Sequence, residues 1–258
     1  MSQGNAEGIW LLGCGNMGGA LLRRWIADEM GPIAVIDPAP GAVPAGVTVG
    51  ASPPAGVPQI LVLAVKPQVW RDAVAGLAGR IGANTLVVSV MAGVTIAALS
   101  EGFPGCAVIR AMPNTPAGIG QGVTALFTNG NAMARAAAEA VFQPAGATVW
   151  LDDEADFDAV TAVSGSGPAY VFAFIEALAA AGVAAGLDAG LAERLARATV
   201  TGAAALAVAD GSPAADLRAR VTSPGGTTAA GLAVLMPGLT PLVTDAVAAA
   251  AARSRGLG

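Results

Sequence analysis

Apolar positions along the chain follow two rhythms. Up to about residue 150 they come as short unbroken runs: Ile9–Gly13, Pro32–Asp37, Ile60–Ala64 and Thr85–Val90, with Cys106–Arg110 and Val123–Thr128 as further short strands. Continuous Val/Ile/Leu runs without alternation mark strands covered on both faces. Between them, Met17–Met30 spaces Ala20, Leu21, Leu22, Trp25 and Ile26 at helical intervals, and Val69–Ile81 shows the same periodicity. Strands separated by helices predict right-handed βαβ units and an open, doubly wound parallel sheet.

The rhythm changes near residue 152. Asp152, Asp153, Glu154, Asp156 and Asp158 precede an apolar helical stretch, as acids do on the first turn of a helix. Strand signals then vanish. Helices are predicted at Ala169–Gly186, Asp188–Asp210, Ser212–Val221, Thr227–Met236 and Thr240–Arg255. Gly211 and Ser212-Pro213 supply a helix stop and a helix start. The expected organisation is an α/β domain over 1–152 and an all-helical domain over 153–258. The helices are Ala-rich nearly all round, more apolar surface than about 105 residues can bury internally, so self-association is expected of this half.

Composition narrows the chemistry. Apolar residues make up 54% of the 258 and charged residues 12%, with a mean hydropathy of +0.63, which excludes disorder. The long uncharged runs (38–65, 111–134 and 221–244) are each broken by prolines and glycines, so no membrane span is expected. Met1–Gly8 carries no basic residue and Ile9–Leu12 is short, so no signal peptide is expected either. Two cysteines, Cys14 and Cys106, fit a cytoplasmic protein without a disulfide framework. A net charge of −5 argues against nucleic acid. Histidine is absent, which excludes histidine-bearing metal sites and Ser-His or Cys-His nucleophiles. Lys66 is the single lysine among 13 basic residues, and arginine does not exchange its proton near neutrality. Chemistry must rest on a cofactor, hydroxyls, carboxylates or backbone N–H groups, and no metal site is expected.

Gly13-Cys14-Gly15-Asn16-Met17-Gly18 directly follows Leu12 at the end of the first strand and opens the first helix. Gly13 permits the tight turn, Gly15 lets backbone approach a pyrophosphate, and Gly18 lets helix pack on strand. The helix N-terminus then meets the phosphate charge. Asp37 ends the second strand, where an acid can bind a ribose or simply close an Asp-Pro turn. These features predict a Rossmann-like dinucleotide site. Lys66, past the carboxyl end of the strand ending in Ala64, is placed beside the cofactor with Val65 and Pro67.

Three other segments are unusual: Arg110-Ala111-Met112-Pro113-Asn114-Thr115-Pro116, Ser164-Gly165-Ser166-Gly167-Pro168-Ala169-Tyr170, and Val221-Thr222-Ser223-Pro224-Gly225-Gly226-Thr227-Thr228. The last is a small-residue loop opening a helix, a way to hold a carboxylate and offer a hydroxyl without a cationic side chain. With the loop Gly13–Ala20, Val65-Lys66-Pro67 and Met91-Ala92-Gly93-Val94, these segments make the whole chain resemble the pyrroline-5-carboxylate reductases. Two departures stand out: Met236 replaces an acid common in that family, and strand two ends in Asp37.

The resemblance implies hydride transfer from NAD(P)H to C5 of L-Δ1-pyrroline-5-carboxylate, giving L-proline in the last step of proline biosynthesis. It also implies a homodimer and an assembly as large as a decamer. It places Thr228 at the ring nitrogen as the catalytic residue, Gly225, Gly226 and Thr227 at the substrate carboxylate, and Ser166 in the pocket wall. Leu12, Gly13, Cys14, Gly15, Asn16, Met17, Ala64, Val65, Lys66, Pro67, Met91 and Ala92 surround the cofactor. Family habit implies NADPH, whereas Asp37 favours NADH. The β-hydroxyacid dehydrogenases share the layout but need a lysine early in the second domain, and none follows Lys66. A redox-sensing NAD(P)-binding protein would have no use for Ser223–Thr228.

Overall fold

A computed structural model describes residues 8–77 and 79–256. The stretch before Gly8, part of the signal-peptide expectation, and Ala78, within the predicted helix 69–81, lie outside the described residues. The chain divides into two compact units: Met1–Ser166 with Ala250–Gly258, and Gly167–Ala249.

The first unit is built on eight strands among the described residues: β1 (Ile9–Leu12), β2 (Ile33–Ile36), β3 (Thr48–Gly50), β4 (Ile60–Leu63), β5 (Leu86–Ser89), β6 (Ala107–Met112), β7 (Gly122–Phe127) and β8 (Gly146–Trp150). They lie in the order β3-β2-β1-β4-β5-β6-β7-β8. The first six positions are the doubly wound order, which reverses between β1 and β4. The helices are α1 (Asn16–Ala27), α2 (Trp70–Ala75), α3 (Ile96–Gly102), α4 (Ala132–Phe142) and the short α5 (Phe157–Val160). Side chains alternate along the buried strands. Ile9, Leu11, Val35, Val62, Val88 and Ile109 pack with Leu21, Trp25 and Phe142 in one cluster. Trp10, Leu12, Ile36, Leu61, Leu63 and Val108 pack with Trp70 and Leu99 in the other. Both faces of the sheet are therefore covered, which is why its strands read as unbroken apolar runs.

The structure departs from the predicted elements in several places. β7 runs antiparallel to β6, because the link 113–121 is shorter than the dozen or more residues a parallel crossover needs. The helix predicted over 69–81 is a 3₁₀ turn, Pro67–Val69, followed by α2, which stops at Ala75 before Gly76 and the positive-φ Gly79. β3, α3, α4 and β8 are additional elements. By contacts, residues 153–166 group with the first unit.

The second unit contains α6 (Gly167–Ala184), α7 (Ala189–Asp210), α8 (Ala214–Arg220) and most of α9 (Thr227–Arg255). Asp188 caps α7 by accepting the Leu191 N–H. α9 replaces the two predicted helices with one, running through Pro237 and Pro241. Each proline removes one backbone donor. At i, i+4 spacing both losses fall on one side of the helix, and both prolines are exposed in the single chain. The expectation that prolines and glycines break every long uncharged run is thus corrected. Glu154–Ala184 and Thr227–Arg255 are long and apolar enough to cross a membrane by length and composition, with mean hydropathies of 1.5 and 1.6. Within the isolated chain Phe172, Phe174, Leu206, Val234 and Leu242 stand exposed.

Candidate functional site

The edge of the sheet where strand order reverses carries the loops after β1 and β4, the position at which open α/β sheets bind ligands. Gly13 N–H donates to the Ile36 carbonyl at 3.0 Å, and Ala64 N–H to the Leu12 carbonyl at 2.8 Å, which pins β1 between its neighbours. Gly13 turns at φ +93°, and a Cβ there would lie 2.8 Å from the Ala64 oxygen. A Cβ on Gly18 would lie 2.3 Å from the Gly13 oxygen. Gly15 differs: nothing lies within 4 Å of its would-be Cβ, and it caps α1 with no side-chain hydrogen bond. The first helical bond of this loop runs from Gly19 N–H to the Gly15 carbonyl. The N–H groups of Asn16, Met17 and Gly18 precede it and have no partner within the helix. Two glycines are thus filled by neighbouring backbone and the third is bare, the shape that fits a pyrophosphate.

Leu12, Gly13, Gly15, Asp37, Ala64, Val65 and Lys66 line one cleft of about 710 Å³. Cys14, Gly15, Asn16 and Met17 line an adjoining one of about 570 Å³ with Arg23 and Thr115. Asp37 is half-buried, and both of its oxygens are engaged. Oδ2 accepts the Cys14 N–H at 2.6 Å, and Oδ1 accepts the Ala39 N–H at 2.8 Å. It is therefore a turn residue and a wall of the cleft at once. Burial, and then the Asp37 carboxylate, push the Cys14 thiol up from its ordinary range, with Arg23 pulling the other way. The loop consequently carries a neutral thiol at neutral pH.

The remaining expected cofactor residues lie farther along the same edge. Pro67 opens the 3₁₀ turn after β4 and shares a shallow cavity with Gly93, Val94 and Thr95. The Met91 side chain is buried in the core cluster and its N–H donates to Ser89 Oγ at 3.3 Å. Ala92 is half-buried.

Ser166 closes the first unit. Its N–H donates to the Thr161 carbonyl in a π-type turn over Thr161–Gly165, a helix irregularity frequent at functional sites. Gly225, Gly226, Thr227 and Thr228 belong to the second unit. Gly226 N–H donates to the Ser223 carbonyl at 3.0 Å, closing a turn with Pro224 at its second position and Gly225 (φ +71°) at its third. This sequence and φ suit a type II turn, which requires a left-handed third residue. Thr227 and Thr228 then open α9 and are exposed. The N–H groups of the first α9 turn have no partner within the helix, so the loop can accept a carboxylate. Sequence reasoning assigns no individual role to Arg110, Asn114 and Glu154, the first two buried and the third half-buried. A charge and an amide set among apolar neighbours are the signal that singles them out.

Comparison with known proteins gives two family matches. Residues 154–257 match the pyrroline-5-carboxylate reductase dimerisation family, and residues 8–93 match the family described as NADP oxidoreductase coenzyme F420-dependent. The chain is 47% identical over 208 residues to a pyrroline-5-carboxylate reductase from Synechocystis, covering 79% of this chain and 77% of that one. The Pseudomonas aeruginosa enzyme of that name is 42% identical over 200 residues, 76% and 73% of the two chains. Among solved structures, a Coxiella burnetii pyrroline-5-carboxylate reductase superimposes with a TM-score of 0.88 at 32% identity over 98% of this chain and 99% of that one. A Plasmodium falciparum pyrroline carboxylate reductase with NADP bound gives 0.85 at 28% identity over 100% of both. The dimerisation match spans both Glu154–Ala184 and Thr227–Arg255, the segments that are long and apolar in the single chain.

Proposed function

The chain belongs to the pyrroline-5-carboxylate reductase family, and we propose that it reduces L-Δ1-pyrroline-5-carboxylate to L-proline with a hydride from NAD(P)H. The observation that carries the reading is the Ser223–Gly226 turn opening α9 on Thr227 and Thr228, in a chain without histidine.

Gly13, Gly15 and the first N–H groups of α1 hold the cofactor pyrophosphate, and Lys66 adds a positive charge at the same edge. Leu12, Ala64, Val65 and Pro67 shape the cleft, and Met91 and Ala92 present backbone to the dinucleotide. When bound, the reduced nicotinamide supplies the hydride that adds to C5. The N–H groups around Gly225–Thr227 take the substrate carboxylate, which fixes the ring. The Thr228 hydroxyl hydrogen-bonds the ring nitrogen, and Ser166 walls the pocket. A protonated cyclic imine is already strongly electrophilic, so these residues have chiefly to orient it, and orientation can account for much of a barrier reduction.

Asp37 favours use of NADH at least as efficient as that of NADPH, although the Plasmodium falciparum relative binds NADP. The bare helical faces support an obligate homodimer, with a decamer as the larger assembly implied by family resemblance. Two free cysteines support a cytoplasmic setting. Initial rates with pyrroline-5-carboxylate and each of NADH and NADPH test the function. No substrate-dependent oxidation of either cofactor would refute it.

A further inference from the structure

Arg110 and Glu154 lie outside both halves of the proposed site, yet theirs is the most water-shielded ion pair among the described residues. The Arg110 and Glu154 side chains are 9% and 25% exposed. Arg110 Nη1 donates to Glu154 Oε1 at 2.8 Å, and the guanidinium lies 4.1 Å from the Phe157 ring centroid. The same Glu154 oxygen accepts the Ile96 N–H at 2.8 Å. Ile96 opens α3 at the end of the loop Met91–Thr95, whose first two residues, Met91 and Ala92, are read as cofactor-binding. A single carboxylate oxygen thus joins this loop, β6 and the chain entering the Ser164–Ser166 turn.

The contact continues in step along the extended segment after Arg110. Residues two apart share a face of extended chain, and Met112 and Asn114 follow Arg110 in that way. Met112 Cε lies 3.2 Å from where a Gly165 Cβ would stand. Asn114 Nδ2 donates to the Ser164 carbonyl and Oγ at 3.3 and 3.4 Å, while its Oδ1 accepts the Val123 N–H at 3.0 Å. Replacing a shielded charge pair by apolar residues is often neutral or stabilising, so such a pair is weak evidence for a stabilising role. Its geometry is specific, because a carboxylate shared by a helix start and a guanidinium has little freedom.

We propose that Arg110 and Glu154 are positioning residues for hydride transfer, setting the Met91–Thr95 loop against the Ser164–Ser166 turn. This rests on the reading that those segments hold cofactor and substrate. The test measures kcat, both KM values, the melting temperature and the deuterium isotope effect from a nicotinamide labelled at the transferred position. It compares the wild type with Glu154→Gln, Glu154→Ala and the double variant Arg110→Met/Glu154→Ala.

Misplacement of reacting groups by about 1 Å costs about 100-fold. Glu154→Ala should therefore lower kcat by about 10- to 100-fold, with KM values much less affected and a larger isotope effect. Glu154→Gln, which keeps an acceptor for Ile96, should lose less. The double variant should regain the melting temperature without regaining kcat. If Glu154→Ala fails to fold, Glu154→Gln and the double variant carry the same comparison. A double variant that recovers wild-type kcat along with its melting temperature, or an unchanged isotope effect in folded variants, overturns the proposal. Absence of turnover in the wild type would instead refute the reductase reading itself, and this inference with it.

Discussion

Asp37 is where residue physics and family resemblance pull apart, and its geometry permits a worked prediction. The carboxylate stands at the wall of the cleft with Oδ2 on the Cys14 N–H and Oδ1 on the Ala39 N–H. Each carboxylate oxygen can accept a further bond, so ribose hydroxyls of NADH have acceptors there. A 2′-phosphate would meet the same group as a like charge. Two unit charges about 4 Å apart repel by about 4 kcal/mol at an effective dielectric of 20. Half-exposure and physiological salt reduce this to roughly 1–2 kcal/mol. Removing the charge also weakens a hydrogen bond from the NADH ribose, a loss of about 1 kcal/mol. The NADPH-to-NADH ratio of kcat/KM should therefore rise by about 2–3 kcal/mol in Asp37→Ser, roughly 30- to 150-fold. Serine also gives up one of two backbone contacts, so Asp37→Asn is the control. Its amide oxygen can still accept the Cys14 N–H while the charge is gone, and the ratio should move in the same direction. The assay is kcat/KM for both cofactors at fixed pyrroline-5-carboxylate. A wild-type preference above tenfold for NADPH, or a ratio unmoved in both variants, would show that Asp37 serves the turn alone.

Thr228→Ala should lower kcat/KM for pyrroline-5-carboxylate by about 1–3 kcal/mol, the loss of a hydrogen bond to a charged group, with cofactor affinity nearly unchanged; wild-type turnover would remove Thr228 from the mechanism. Gly18→Ala puts a methyl 2.3 Å from the Gly13 oxygen, so the loop must shift, and NADH binding by fluorescence titration should weaken at least tenfold. The exposed apolar faces of α6, α7 and α9 predict an obligate dimer whose interface exceeds about 2,000 Å²; a folded, active monomer at micromolar concentration by light scattering would contradict this. Cys14 should react slowly with iodoacetamide at pH 7.5, because burial, and then the Asp37 carboxylate, push the thiol up from its ordinary range. Its alkylation should accelerate as pH rises through that raised value, and bound cofactor should protect it.

What was legible in the sequence is what a short stretch of chain decides for itself. The glycine loop needs a left-handed turn at Gly13 and a close approach at Gly18, and no residue far along the chain is required to state either demand. The Ser223–Thr228 loop is legible for the same reason, since its turn closes between Ser223 and Gly226. α4 went unpredicted although its signals are just as local: Asn131 accepts the Ala134 N–H as an N-cap, and Ala138, Val141 and Phe142 bury at helical spacing. β8 was harder, because Gly146–Trp150 is nowhere fully buried and lacks an unbroken apolar run. α9 misled in the opposite way, since Pro237 and Pro241 read as stops although their spacing confines both missing bonds to one exposed side. The acidic run shows where local reading ends. Asp153 behaves as expected, accepting the Ala155 N–H beside it. Glu154, beside it, instead serves the first N–H of α3, 58 residues away, together with Arg110 on β6. The dipole argument correctly put a carboxylate at a helix start, but spacing along a chain cannot say which helix.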